Sequence, residues 1–587
     1  MKTRIFLFLI LALLATLVLV GCSFLPESEA PATTTGNTTT ASLTTAATAT
    51  PGTTTTTTSQ VTTAPPTTTA ATTTTAPPVT TPPTTTAPKD DTSGWWDDVD
   101  FSDVNLRIAY NEVNVGALEE AGAGNAIQYM KGPDDYADAN RGDYLAAWQR
   151  HELVCDRLGL TLGENLTYVK TGFPSKLVDS ILPLIAQYAA VGGDSAPNIV
   201  IHLNYGIVRA GIVGYFYNAY TTEDFDGNAI DNYFDFTHDN WNLEAMEENT
   251  IDTDKIYMLM GDYFIDQLRF AMATLVNSGI ADEVFAYQGG LDYLYDLVYN
   301  GQWTYDAMMQ CAAAAGETSV GGQSVMGAIS NRWLIRNYFS ASGLDVFERD
   351  ANGDPKYVTD ITEIHDWLDK LISMEKEDYF SWDWATDDVN NPERNSPLTT
   401  FMNGDALFSL NEYVLTMEGE NIQNMRDVAG ILPNPKYIKE GEYADESTDY
   451  RAPLSHEASS GGIMITSTYE EFSAATAFLQ LMTEESDNVF YQYFVAGLQY
   501  RENNIGREHI DMLNYIKDGI CSPMSMLYDN YCAQNIPGAY PAPSYPNLMY
   551  DSLQNKNNTF ASKWAESITA RTYMWESIKA EIRNRWD

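Results

Sequence analysis

His202, Asn204 and Tyr205 bring an imidazole, an amide and a phenol to one short stretch of the chain, and together they could hydrogen-bond a polar ligand. They stand at the carboxyl end of residues 199–203, an apolar run typical of a parallel strand that is buried on both faces. Ligands of open α/β sheets bind beyond such strand ends. A core histidine that makes one backbone hydrogen bond is the alternative interpretation of His202.

Two other groups imitate known sites but have the wrong surroundings. Residues 193–195, Gly-Asp-Ser, match the start of a GDS-type esterase block, yet they follow a predicted helix instead of the first strand. Asp350, Asn352 and Asp354 are spaced like the start of a calcium loop, but Pro and Ile replace the Gly and Glu that such a loop requires. We therefore predict a helix-ending turn without a catalytic Ser195, and a hairpin turn without a metal.

The elements that must position these residues alternate between strands and helices. A strand over residues 166–169, a helix whose apolar spacing runs from Leu177 to Ile185, and the strand at 199–203 form a predicted βαβ unit. Thr304 can cap a helix over residues 305–315. Residues 346–358 have the pattern of a hairpin. The predicted class is α/β.

The amino terminus has the order of an export signal. An apolar run ends in Leu19-Val20-Gly21-Cys22, which resembles the lipobox of bacterial lipoproteins, so residues 1–21 are a predicted signal peptide and Cys22 the lipidation site. An ordinary cleaved signal and an uncleaved anchor are the alternatives. Residues 22–94, rich in Thr, Ala and Pro, are a predicted disordered stalk. Its reach favours a Gram-positive bacterium, with the protein on the outer face of the cell membrane.

The part from Trp95 onward has the composition of a folded protein, and the chain as a whole is strongly acidic. With 80 Asp and Glu against 33 Lys and Arg, its formal charge is −47, which makes nucleic acid and anionic lipid poor partners. Cys155, Cys311, Cys521 and Cys532 are too few for a disulfide framework. Cys521 and Cys532 are close enough in sequence to form a bridge, and two buried thiols are equally consistent with the sequence.

Several local patterns follow one another in a recognisable order. They are APNIV at 196–200, WN at 241–242, DKIY at 254–257, GD at 261–262, LYDL at 294–297, GQWTYD at 301–306, FMNGDALF at 401–408, GILPNPK at 430–436 and MLNYI at 512–516. This order resembles the extracellular solute-binding proteins of ABC sugar importers, in particular the long clostridial members. The resemblance covers most of residues 104–587, and the long stalk departs from it.

The resemblance implies an α/β fold of two lobes, like that of periplasmic binding proteins, with a hinge and a ligand cleft between the lobes. Lobe one would comprise residues 95–272 and 433–460, and lobe two residues 273–432 and 461–587. It also implies a monomer that captures a sugar or oligosaccharide and delivers it to the permease subunits of an ABC transporter. Such a protein is not an enzyme, and it needs no metal and no organic cofactor.

Sugar recognition needs aromatic faces for the apolar side of a pyranose and planar polar groups for its hydroxyls. The chain has 36 Tyr and 12 Trp, more than core filling tends to require. Candidate ligand residues lie where loops would open on the cleft, and a core position is the alternative for each Trp. In lobe one they are Tyr110, Asn111, Glu112, Asn204, Tyr205, Trp241, Asp262 and Tyr263. In lobe two they are Trp333, Arg336, Trp382, Asp383, Trp384, Asn411 and Glu412.

Three other functions fit the same features. A secreted glycoside hydrolase needs two carboxylates across a cleft, although with 80 acidic residues such pairs are unavoidable and are not evidence of catalysis. A surface glycan-binding adhesin could use the same fold and the long stalk without a transporter. A cationic peptide could bind an aromatic cleft with an acidic rim.

Overall fold

Within the described residues, the strands form two larger mixed sheets and three two-stranded ribbons. The structure is a computed structural model, and it describes residues 94–586 apart from 112–141, 172–180, 192–195, 225, 253, 332–333, 383–396, 420–421, 423–424, 440, 445–448, 455–457, 499–506 and 535–542. Cys22, Ser195, the signal peptide and the stalk up to residue 93 lie outside the described residues. Residues 93–587 form one compact unit.

The strands are β1 (Leu106–Asn111), β2 (Leu166–Thr171), β3 (Ile199–Leu203), β4 (Met272–Asn277), β5 (Ser319–Val320), β6 (Gln323–Ser324), β7 (Met326–Ser330), β8 (Phe347–Arg349), β9 (Pro355–Tyr357), β10 (Phe380–Ser381), β11 (Ala406–Tyr413), β12 (Ala429–Leu432), β13 (Ala452–Pro453), β14 (Ser459–Ile463) and β15 (Ile520–Cys521). The α-helices are α1 (Gly142–Leu158), α2 (Ile181–Val191), α3 (Asn204–Ile212), α4 (Leu243–Glu248), α5 (Asp266–Arg269), α6 (Ser278–Val284), α7 (Leu291–Tyr299), α8 (Tyr305–Glu317), α9 (Ile335–Ala341), α10 (Thr362–Met374), α11 (Pro397–Met402), α12 (Tyr469–Glu484), α13 (Asp487–Gln492), α14 (Arg507–Asp518), α15 (Met524–Gln534), α16 (Tyr545–Gln554) and α17 (Phe560–Trp586). Two 3-10 turns (Trp95–Asp98, Val414–Glu418) and one π turn (Tyr493–Leu498) complete them.

The first sheet has the order β14-β3-β1-β2. β1 lies between β2 and β3 and is parallel to both, whereas β14 is antiparallel to β3. The predicted βαβ unit is present: its first strand is β2, its helix is α2 and its second strand is β3. β3 is buried along its whole length, as its apolar run predicts. α12 packs against α1 and β1, and Thr468 and Glu471 form a capping box at its start.

The second sheet has the order β10-β7-β11-β4-β12. β10, β7 and β11 are parallel, and β4 is antiparallel to its neighbours β11 and β12. α8 packs against β7. The Thr304 side chain accepts a hydrogen bond from the Ala307 N–H (3.2 Å), which confirms the predicted cap, and the helix continues to Glu317 instead of ending at 315. The predicted α/β class is confirmed.

Two segments that connect the sheets lie antiparallel to each other. The first leads through α5 into β4, and the second leads into β14. Isolated bridges pair Leu259 with Gly461 and Ala271 with Leu454. Between these bridges the Gln267 side-chain amide donates to the carbonyl of Ser459 (3.1 Å). A third connection follows α14, where β15 pairs in parallel with β13.

Arg269 in α5 is the centre of a buried ion cluster beside these connections. Its Nε and Nη2 donate to the two Glu418 carboxylate oxygens (2.7 and 3.2 Å), and its Nη1 donates to Asp266 Oδ1 (2.8 Å). The Tyr493 hydroxyl donates to Glu418 Oε1 (2.9 Å). Burial alone would lower the pKa of Arg269, but Glu418 and Asp266 raise it well above its ordinary value. The cluster joins the first connection to the turn after β11 and to the π turn.

β8 and β9 form the predicted hairpin, and the last helix holds its tip. Asp350 Oδ1 accepts hydrogen bonds from the backbone N–H groups of residues 352 and 354 (2.8 and 3.1 Å), so the carboxylate is part of the turn. Gly353 has φ +82°, which only glycine adopts freely. Lys579 Nζ and Arg583 Nη2 of α17 each donate to the Asp354 carboxylate (2.6 Å).

The packing of the elements after residue 461 can be compared with the expected lobe boundaries. Residues from 461 onward were expected in lobe two, but β14 pairs with β3, and α12 packs against α1 and β1. α14, by contrast, packs against β12 of the second sheet. Because α13 also packs against α1, an assignment by packing would extend the first-sheet part of the chain to Gln492.

Cys155, Cys311, Cys521 and Cys532 are buried thiols, and the bridge considered between Cys521 and Cys532 is not formed. None of the described helices combines the length and the apolar composition that crossing a membrane requires.

Candidate functional site

The carboxyl ends of the parallel strands carry many of the predicted ligand residues. Tyr110 is the penultimate residue of β1, Asn204 directly follows β3, and Trp382 directly follows β10. Asn411 and Glu412 lie near the end of β11. Because ligands of α/β sheets bind beyond these ends, the sheet edges are the candidate site.

We group six buried polar side chains at or near these edges whose atoms have no hydrogen-bond partner among the described residues. We call them the strand-end set: Asn204, Ser459 and Ser460 at the first sheet, and Asn337, Trp382 and Asn411 at the second. Each is at most 1% exposed. In the three asparagines both the amide nitrogen and the amide oxygen are unpartnered. A buried polar group without a partner costs about 1–3 kcal/mol of stability. The set therefore destabilises the folded protein unless a ligand supplies the missing hydrogen bonds.

Asn411 shows how the second sheet presents one of these side chains. Its φ is +60°, and the register of β11 against β4 shifts between Leu410 and Glu412. Such a bulge re-aims side chains and is common beside binding sites, and Asn adopts the left-handed region more readily than most residues. The Ser330 hydroxyl at the end of β7 donates to the Leu410 carbonyl (3.1 Å), which holds the bulge from the neighbouring strand.

Trp382 ends a row of aromatic rings. Its ring centre lies 5.6 Å from that of Tyr338, Tyr305 stacks on Tyr338 at 4.8 Å, and Tyr437 lies 5.9 Å from Tyr305. The partly buried Tyr437 also lines a groove of about 850 Å³, with Asp306, Asp360, Glu363, Asp366 and Lys370 among the other lining residues. The row therefore joins the buried edge of the second sheet to an acidic groove at the surface.

Glu412 is the one carboxyl group among the predicted residues at the strand ends that the structure describes. The Ser409 hydroxyl donates to its Oε1 (2.6 Å), and no cation of the described residues pairs with it. Burial raises the pKa of Glu412 to about 7, and the Ser409 hydrogen bond offsets part of this rise. The carboxyl group therefore changes its protonation near neutral pH.

This pKa makes stability depend on pH. Because the folded-state pKa of Glu412 lies above its unfolded value, the stabilising contribution of the neutral group is complete below about pH 4.5 and is lost as pH rises through 7. Between pH 5 and pH 8, we expect Glu412→Gln to lose about 2 kcal/mol less free energy of unfolding than the wild type. Chemical denaturation at both pH values measures this. Glu348→Gln, at an exposed position, is the control, and parallel pH curves for wild type and Glu412→Gln would contradict the prediction.

Two predicted residues at the first sheet are already engaged within the protein. The Tyr205 hydroxyl accepts a hydrogen bond from Arg209 Nη2 (2.6 Å), and the guanidinium lies over the same ring (4.2 Å). The Tyr110 ring lies 6.0 Å from Tyr168. His202 is 2% exposed, and burial lowers its pKa to about 3, so it takes the core position considered as its alternative.

Trp241, Asp262 and Tyr263 do not belong to the strand-end set. Trp241 Nε1 donates to Gln480 Oε1 (2.8 Å), and Tyr263 is fully buried, so both rings occupy core positions. Asp262 forms an ion pair with Lys517 (3.1 Å). Trp241 and Asp262 line a separate pocket of about 230 Å³.

Arg336 is partly buried on α9, and the remaining predicted residues stay untested. Glu112, Trp333, Asp383 and Trp384, with the side chain of Asn111, lie outside the described residues. Sequence reasoning missed Asn337, Tyr305, Tyr338 and Tyr437. The part of the chain that the structure describes brings no three metal-ligating side chains together.

Comparison with solved structures finds distant likeness. The GacH receptor of Streptomyces glaucescens, solved unliganded and in complex with acarbose and an acarbose homologue, is 11% identical, with a TM-score of 0.45 over 80% of this chain and 99% of that chain. A family 1 extracellular solute-binding protein from Bifidobacterium longum subsp. infantis is 10% identical, with a TM-score of 0.42 over 81% of this chain and 100% of that chain. No protein-family model and no curated protein matches the chain. With TM-scores below 0.5, the case for a function comes from the strand ends themselves.

Proposed function

We propose that the protein is an extracellular solute-binding protein that binds a sugar or oligosaccharide at the edges of its two sheets. The strand-end set carries this proposal. Its amide, hydroxyl and indole groups need a ligand that both donates and accepts hydrogen bonds. Sugar hydroxyls do both, and the rings of the Trp382 row provide apolar faces of the kind that stack on a pyranose.

A neutral ligand fits this site better than a cationic peptide. The strand-end set contains amides, hydroxyls and an indole but no carboxylate, so it offers hydrogen bonds without a fixed negative charge. Glu412 follows Asn411 in sequence, and its raised pKa leaves it largely uncharged in mildly acidic solution. The acidic groove beside Tyr437 lies at the other end of the aromatic row.

In the same proposal the protein is a monomer tethered to the outer face of the cell membrane of a Gram-positive bacterium. A lipid on Cys22 and the stalk at residues 22–94 would provide the tether. The connecting segments would act as the hinge between two lobes, and the closed protein would deliver its sugar to the permease subunits of an ABC transporter. The lipobox and the Thr-rich composition support the tether, and the antiparallel pairing of the connections supports the hinge.

Thermal unfolding with oligosaccharides tests the proposal. The mature chain, residues 22–587 with Cys22→Ser, should gain about 2.7 kcal/mol of stability from its sugar at a hundred times the dissociation constant. The sugar should be recovered unchanged. Released reducing ends would favour the glycoside hydrolase, retention on insoluble polysaccharide alone would favour the adhesin, and stabilisation by cationic peptides alone would favour a peptide-binding protein.

A pair of matched substitutions tests the site within the same assay. Trp382→Phe removes an unpartnered indole N–H and should weaken sugar binding about tenfold, because a hydrogen bond to the ligand is lost. Trp241→Phe makes the same change where the N–H already bonds Gln480, and it should leave the affinity unchanged. An equal loss of sugar affinity in both variants would show that the strand ends are not the binding site.

A further inference from the structure

Lys517 stands at the end of a helix that belongs to the second sheet. α14 packs against β12, and the Tyr299 hydroxyl of α7 donates to Asp511 Oδ2 on α14 (3.0 Å). We call the elements packed on the second sheet, α14 included, the second-sheet half. Those packed on the first sheet, including α1, α12 and α13, are the first-sheet half.

The side chain of Lys517 contacts the first-sheet half in two ways. Its Nζ lies 3.1 Å from Asp262 Oδ2 and 4.9 Å from the centre of the Phe490 ring. Asp262 is fixed by Asn240, whose side-chain amide donates to Asp262 Oδ2 (2.7 Å) and whose carbonyl accepts from the Asp262 N–H (2.8 Å). Phe490 lies on α13, which packs against α1. A cation of one half is therefore held by an anion and a ring of the other.

Space next to this contact would allow the halves to move. The pocket of about 230 Å³ is lined from the first connection by Asp262 and Gln267, from the end of α14 by Lys517, and from the third connection by Ile520. Close-packed interfaces resist such shifts, whereas a cavity between two connections lets one slide past the other. The ion pair is thus the contact most directly stretched by a change at the third connection.

We propose that Lys517 is a positioning residue, and that its contact with Asp262 and Phe490 stabilises the described arrangement of the two halves and thereby raises ligand affinity without touching the ligand. The proposal rests on the proposed function for the identity of the ligand. It assigns Asp262, which the sequence predicts as a ligand residue, to the contact between halves. In this arrangement the strand-end set is buried, so a ligand enclosed there would meet all of its partners at once.

The expected effect is modest because both side chains keep some exposure, 26% for Lys517 and 13% for Asp262. An ion pair of this kind changes an equilibrium by about fivefold. The ratio of other arrangements to the described one should change by this factor, which is divided between the population of the other arrangements in the ligand-free protein and the dissociation constant of the ligand.

Lys517→Met keeps the apolar stem over Phe490 and removes the charge. In the ligand-free protein we expect hydrogen exchange of the Ala452 and Leu454 amides, which bond the carbonyls of Gly519 and Cys521, to become faster by up to about fivefold. The Met308 amide of α8, which bonds Thr304, should exchange at its original rate. The dissociation constant of the sugar found by thermal unfolding should rise as well, and the two factors should multiply to about fivefold.

Lys563→Met is the matched control, because Lys563 forms a similar pair with Asp551 (2.8 Å) between α16 and α17. It should change neither readout, and exchanging the charges with Lys517→Asp and Asp262→Lys together should restore both. Unchanged exchange at Ala452 and Leu454 together with an unchanged dissociation constant in Lys517→Met, or equal acceleration at Met308, would overturn the proposal. Faster exchange in a protein that binds no sugar would support the contact between halves and reject the proposed function.

Discussion

Arg269→Met should lower the free energy of unfolding by about 4 kcal/mol, because it removes a cation that holds two fully buried carboxylates. Burial already raises the pKa of Asp266, and the Arg269 guanidinium offsets part of that rise. Without the guanidinium, Asp266 and Glu418 must take up protons or remain charged in the interior. Chemical denaturation at pH 7 measures the loss, and the loss should grow as pH rises and the carboxyl groups ionise in the unfolded chain.

Arg426→Met is the matched surface change. Arg426 is 75% exposed and pairs with Asp427 (2.8 Å), so its removal should leave the free energy of unfolding nearly unchanged. Replacing Asp266 and Glu418 by apolar residues in the Arg269→Met background should recover much of the stability, since no charge is then left unpaired. A loss below 1 kcal/mol for Arg269→Met would show that water reaches the cluster.

His202→Gln should make the protein less sensitive to acid. The folded-state pKa of His202 is lowered by burial to about 3, below its unfolded value of about 6.5, so the unfolded chain binds the proton first. The stability that depends on neutral His202 is complete above pH 6.5 and is lost as pH falls towards 3. Between pH 7.5 and pH 3.5 the wild type should therefore lose about 4 kcal/mol more than His202→Gln.

The comparison uses the difference between two pH values, so any cost of the substitution at pH 7.5 cancels. His238 is exposed, and His238→Gln should follow the wild-type acid curve. If His202→Gln also follows that curve, the imidazole takes up its proton in the folded state without a loss of stability. Burial of His202 next to β14 would then not lower its pKa.

Local patterns were enough to predict those elements whose signals lie within a few residues. The apolar run of β3, the Thr304 cap and the turn at Asn352-Gly353 are each fixed by neighbours in sequence, and the structure contains all three. The placement of Asn204 and Trp382 at strand ends follows from the same logic, because a strand's direction sets where its carboxyl end lies.

Contacts between distant parts of the chain were not predictable in this way. Trp241 and Tyr263 have the composition of ligand residues, but one bonds Gln480 some 240 positions further on, and the other is enclosed by the core. Asn337 and Tyr338 carry no periodic signal, since their role depends on a helix that follows β7 and meets Trp382. The left-handed backbone of Asn411 depends on a register shift against β4, and such a shift cannot be read from β11 alone.

The four cysteines of the folded part have a practical consequence for watching this protein move. Burial raises the pKa of each thiol to about 12, and the thiolate is the form that reacts with maleimides. Fluorophores could therefore be attached to cysteines introduced at exposed tyrosines such as Tyr287 and Tyr220 while the native thiols stay in place. Single-molecule distance measurements should therefore be possible without replacing the native cysteines.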